Sequence, residues 1–127
     1  METNIIEPFV KSYLATAEWV ECDSPSKGFT KIAKQNAIDD CSIFINMIFE
    51  NFTKDEATKI ISLEGNDVPR LAGHDFYLTR NNHGTGFWDR DEYNNIAKNA
   101  SNKLTALAQV LGTSQAYKSR GGYLNFD

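Results

Sequence analysis

Eighteen consecutive residues, Gly73 to Arg90, hold both histidines of the chain, three glycines, four aromatics and a cluster of charges. Histidine titrates near neutrality and can act as acid, base or ligand. His74 and His83 are therefore candidate catalytic groups, with Asp75 or Asp89 as the carboxylate that would orient one of them. Arg80 can hold a phosphate or carboxylate through two parallel donors. The backbone of Gly84-Thr85-Gly86 could approach an anion closely. Together these types describe acid/base chemistry on a phosphate-bearing or nucleotide substrate. They also describe an interaction surface, because Tyr77, Arg80, His83, Gly84, Gly86, Trp88 and Arg90 would set aromatic and guanidinium anchors side by side. A scaffold accounts for them too: His74 and Asp75 would pin strand ends, Arg80 would pair with Asp89 or Asp91, and the glycines would make a turn.

The positioning element is read as a β-hairpin. Phe76 and Leu78, and after a gap Phe87, alternate with polar neighbours, the period of a half-buried strand. Asn81-Asn82-His83-Gly84 is turn chemistry, since Asn and Gly tolerate positive φ. Strands over about 75–80 and 85–89 follow. Asp75, Tyr77, Thr79 and Trp88 would share one face, and Phe76, Leu78 and Phe87 the other.

Helices are expected on either side. Phe9, Val10, Tyr13, Leu14, Ala17 and Val20 recur at helical spacing, giving a helix over 7–20 with Pro8 in its first turn. Pro25 and Gly28 mark a loop. Thr30 opens a second helix over 31–51, with Phe29 as a hydrophobic staple. Its apolar stripe is Ile38, Cys41, Ile45, Ile48 and Phe52, widened by Phe44. Thr53-Lys54-Asp55-Glu56 is a capping box for a helix over 54–63, and Gly65-Asn66 stops it. Tyr93, Ile96, Ala97, Ala100, Leu104, Leu107, Ala108 and Leu111 predict a helix over 91–111 ended by Gly112. The tail from Gln115 to Phe126 reads as a second hairpin turning at Arg120-Gly121-Gly122. A lone hairpin is marginal in water, so the two are expected to join. The reading is an α+β, single two-layer domain over 1–127: three to four helices packed on an antiparallel sheet of three to four strands.

Composition sets the outer bounds. The chain has 127 residues, 41% of them hydrophobic, which is one domain with a real core. A net charge of −4 lacks the basic footprint of a general nucleic-acid binder, though a local patch is compatible with it. The acids form no run, against a DNA mimic. Two cysteines, Cys22 and Cys41, read as a reduced intracellular pair, Cys41 in the core. No Cys/His spacing matches a structural zinc site, and the histidines are nine apart, so no metal or cofactor is predicted. The N-terminus has no secretory pattern, and no stretch has the apolar length of a membrane span.

Residues 72–90, Ala-Gly-His-Asp-Phe-Tyr-Leu-Thr-Arg-Asn-Asn-His-Gly-Thr-Gly-Phe-Trp-Asp-Arg, resemble the signature of a widespread family of small tailed-bacteriophage proteins. Phe9, Glu18-Trp19 and Asp23 are similar to that family's N-terminal helix, Asp40-Cys41 and Phe44 to its middle helix, and Tyr117 to Leu124 to its last strands. The chain departs from the pattern at Asp91-Glu92-Tyr93-Asn94, where many relatives are glycine-rich, and at Lys118-Ser119-Arg120, in place of acidic turn residues. The resemblance implies a phage gene product in the cytoplasm of an infected bacterium. It assigns no catalytic residue.

Three functions follow as expectations. The first is a non-enzymatic binding protein acting on a host component, in host takeover or anti-defence, through the hairpin surface. The second is the small enzyme, with His74 or His83 as acid or base. The third is nucleic-acid binding, with Phe87 and Trp88 stacking on bases while Arg80, Arg90, Lys118 and Arg120 meet phosphates.

Overall fold

The computed structural model describes residues 3–127. Helices carry most of it. They are α1 (Thr3–Glu21), α2 (Lys31–Asn51), α3 (Lys54–Ser62), α4 (Leu71–Arg80) and α5 (Ala100–Val110), followed by strands β1 (Ala116–Lys118) and β2 (Leu124–Phe126). Short 3-10 turns at Phe87–Asp89 and Asp91–Asn95 link α4 to α5. The class is broadly α+β, but its sheet has two antiparallel strands instead of three or four.

The largest departure is the central window. Leu71–Arg80 is a helix, and 85–89 contains a 3-10 turn, so no hairpin forms there. The physical reason is burial. Leu71, Ala72, Gly73 and every residue from Asp75 to Arg80 are buried, leaving His74 alone half-buried. A helix enclosed on all sides has no apolar stripe to show a 3.6-residue period. The alternation of Phe76 and Leu78 with polar neighbours arose because Asp75, Tyr77 and Thr79 are also inside, each holding a buried partner.

Elsewhere local chemistry and structure agree more closely. The capping box forms in both directions: Thr53 Oγ1 accepts from Glu56 N at 3.1 Å, and Glu56 accepts from Thr53 N at 3.0 Å. Thr30 caps α2 through Ala33 N, while Phe29, expected as a staple, stacks on Phe126. α1 starts four residues before the predicted 7, which puts Pro8 inside the helix. The α2 stripe is buried from Cys41 to Phe52, and Ile38 lies at its exposed edge. The predicted helix over 91–111 breaks in two. Asn99 takes the left-handed conformation, φ 59°, and Asn94 Oδ1 accepts from Ser101 N at the start of α5.

The tail hairpin forms as expected, and its register sets Ala116 opposite Phe126 and Lys118 opposite Leu124. Two three-residue strands would not hold alone. The loop before α2 stitches them down: Leu124 N donates to Gly28 O at 2.9 Å, and Thr30 N donates to Leu124 O at 3.0 Å. The core is aromatic. Phe44 and Phe76 stack with centroids 4.1 Å apart and planes 2° from parallel, and Phe9, Tyr13, Phe87 and Tyr93 close around them. No described helix is long and apolar enough to cross a membrane.

α1 and α4 cross at Gly73, where a Cβ would stand 2.5 Å from the Phe9 carbonyl oxygen. That neighbour is backbone and cannot swing away. Gly73→Ala should therefore force the helices apart and cost about 1–3 kcal/mol, the usual range for overpacking. Urea unfolding of the variant beside wild type measures it; equal midpoints would show that the crossing has slack.

Candidate functional site

Arg80 is buried and its donors are taken. Nη1 donates to Asp40 at 2.7 Å and to Tyr13 Oη at 3.1 Å. Nε donates to Gly112 O at 2.8 Å and Nη2 to Leu111 O at 3.3 Å, carbonyls at the C-terminal end of α5 that have no partner within that helix. The guanidinium also lies 5.2 Å from the Phe76 ring centroid. The expected pairing with Asp89 or Asp91 does not occur, and Arg80 is no anion clamp. Burial pulls its pKa down, the Tyr13 and Asp40 oxygens outweigh that, and the group stays charged.

Asp75 is enclosed too. Arg90 grips it through Nε and Nη2 at 3.1–3.3 Å, and Tyr93 Oη donates to it at 2.8 Å. Burial pushes its pKa up, opposed by Arg90 and Tyr93. It orients neither histidine. Tyr77 Oη donates to Glu21 at 2.5 Å and accepts from Ala116 N at 3.0 Å, tying α4 to the end of α1 and to β1. His83 leans over the Tyr77 ring, and its Nε2 lies 3.2 Å from the same Glu21 oxygen. The carboxylate that orients His83 is therefore Glu21.

The rest of the window divides between core and rim. Gly86 is extended, and its missing Cβ admits Thr79 Oγ1, which a Cβ would meet at 2.4 Å; that hydroxyl accepts from Phe87 N. Phe87 is buried against Phe44 and Tyr93, so it cannot stack on a base. Gly84, Trp88 and Asp89 are exposed. Arg90 is held by Asp75, and Lys118 reaches Ser24 at 2.6 Å, while Arg120 is exposed. The anchors of the expected hairpin surface thus do not share one face.

His74 is the chemically interesting exception. Its Nδ1 lies 2.7 Å from Thr16 Oγ1, which itself lies 2.8 Å from the Ser12 carbonyl oxygen. Two oxygens at that separation need a proton between them, and only the hydroxyl has one. Thr16 therefore donates to Ser12 and accepts from His74, so the Nδ1 of His74 carries its proton and Nε2 its lone pair. No described side chain engages Nε2. Among the described residues no buried side-chain nitrogen or oxygen lacks a partner, so Nε2 is not sealed from solvent. Trp19 stacks on the ring, centroids 6.0 Å apart, and is itself 71% exposed. The two rings line an open cleft of about 500 Å³, completed by Thr16, Asp67, Val68 and Pro69.

The two histidines therefore serve different partners. Among the described residues no group of three or more His, Cys, Asp or Glu side chains is placed to share a metal ion. Sequence reasoning missed Thr16, Glu21, Asp40 and the role of Trp19. One signal was present: Trp19 falls off the apolar stripe of α1, an aromatic pointing away from the core.

Two outcomes separate scaffold from site. Arg80→Met should lose about 1–3 kcal/mol, since it leaves Tyr13 Oη and the last carbonyls of α5 without their donor; a variant of wild-type stability in urea would show that the guanidinium does not hold the helices. His74 should titrate against folding. Burial, and then the Arg90 charge, hold its pKa below the ordinary 6.5. The unfolded chain then takes the proton first as pH falls, so the stability contribution is complete above about pH 6.5 and is lost below it. The melting-temperature gap between wild type and His74→Gln should shrink on acidification; a constant gap would exclude His74 as the titrating group.

No family model, curated protein or solved structure matches this chain, so its function is read from its own residues.

Proposed function

We propose that the chain is a small bacteriophage accessory protein, made in the host cytoplasm, that acts without catalysis by binding a host component. The phage origin is supported by the resemblance of residues 72–90. The binding role is supported above all by one observation: Trp19, largely exposed, stacks on His74 at an open cleft. Tyr77, Arg80 and Arg90 are spent on internal partners, so the binding surface moves from the expected hairpin to α1 and the start of α4. Trp anchors of this kind concentrate binding energy.

The acid/base reading retains one specific support, the Glu21–His83 pair. It has lost its anion clamp, because Arg80 is committed to Asp40, Tyr13 and the end of α5.

Tagged protein passed over lysate of the bacterial host should retain one partner in stoichiometric amount. Trp19→Ala should lose that partner by about tenfold or more, as a hot-spot truncation does. Trp88→Ala, on the exposed 3-10 turn, should keep it. Loss with Trp88→Ala alone would return the surface to the 3-10 turn, and an empty capture would overturn the binding reading.

A further inference from the structure

We propose that the Trp19–His74 cleft accepts the guanidinium of an arginine side chain presented by a basic segment of the partner protein. The inference rests on the binding reading above and specifies its chemistry. Three features of the cleft converge on a planar, hydrogen-bond-donating cation. Trp19 offers an exposed indole face, the best aromatic surface for a cation. The Nδ1–H tautomer fixed by Thr16 and Ser12 leaves His74 Nε2 as an acceptor that asks for a donor. Asp67, an exposed lining residue at a left-handed backbone position, supplies the negative charge, and among the described residues it enters no ion pair.

The surroundings favour the same sign. Glu64 lines the adjoining hollow that shares Asp67, Val68 and Pro69 with the cleft. Of the two arginines beside it, Arg90 is paired with Asp75, and Arg70 turns Nη1 back onto the Pro69 carbonyl at 2.9 Å while keeping its charge. Among the described residues no lysine or arginine lines the cleft. A phosphate or carboxylate would meet the lone pair of His74 and the charge of Asp67 with no donor to offset them. A guanidinium can stack on the indole while its edge donates to Nε2 and its charge meets Asp67.

The probe is the blocked tripeptide acetyl-Ala-Arg-Ala-amide, titrated into nitrogen-15-labelled full chain at low salt above neutral pH. The citrulline peptide, of the same shape without the charge, runs beside it. Expected are shifts of the Trp19 indole N–H and the His74 ring nitrogens with the arginine peptide. Binding should be about fivefold weaker for citrulline, as for loss of an exposed cation–π contact. Asp67→Asn should weaken the arginine peptide and leave citrulline unchanged. Long-range proton–nitrogen spectra should show His74 protonated at Nδ1. An inert arginine peptide, equal binding of citrulline, or protonation at Nε2 would overturn the inference. Trp19-dependent capture of a host partner together with an inert arginine peptide overturns the arginine chemistry alone and leaves the binding reading standing. Failure of both experiments removes both.

Discussion

One guanidinium joins four helices. Arg80 leaves the end of α4, meets Asp40 on α2 and Tyr13 on α1, and satisfies the last carbonyls of α5. A buried charge is costly unless it is paired and hydrogen-bonded, and here four contacts offset that cost. The constraint is mutual. Removing α5 would leave Nε and part of Nη2 unsatisfied, and removing Asp40 would leave the charge unpaired. The aromatic core is free to pack in more than one way on area alone. The fork of donors fixes which helix ends must meet, so it specifies the arrangement more than it drives collapse.

Asp75 and Glu21 extend the same logic to either side. Asp75 draws Arg90 and Tyr93 inward, and this accounts for the irregular chain between α4 and α5. A continuous helix over 91–111 would swing Tyr93 off the carboxylate. The 3-10 turn at Asp91–Asn95 and a left-handed Asn99 are the local cost of keeping it there. Glu21 collects Tyr77 and His83, and Tyr77 in turn receives Ala116 N, so the small sheet hangs from a side chain of α4.

What was legible in the sequence follows from this division. α2, α3 and the tail hairpin have one dry face and one wet face, or explicit caps and glycine turns, and their signals are local. α4 has no wet face. Its polar residues are inside, and its period is hidden by Asp75, Thr79 and Arg80 occupying core positions. Nothing in a single chain tells a buried, satisfied charge from an exposed one, because the satisfying partners lie 15 and 18 residues from Asp75 and up to 67 from Arg80. The same blindness misassigned the site. Arg80 and Asp75 look reactive in sequence because they are charged, and they are inert in the fold because that charge is used.

Chemical availability is therefore better judged by what a group has left after folding than by its type. Arg80 has four of its five donors committed, and Asp75 has an arginine and a tyrosine on it. His83 shares Glu21 with a tyrosine. His74 spends one nitrogen on Thr16 and keeps the other, and Trp19 spends one ring face on His74 and keeps most of its surface. These two keep capacity in hand and sit against each other. They adjoin because α1 and α4 cross closely at Gly73, next to His74 in the chain. The crossing that makes the core compact thus also sets the two unspent rings side by side.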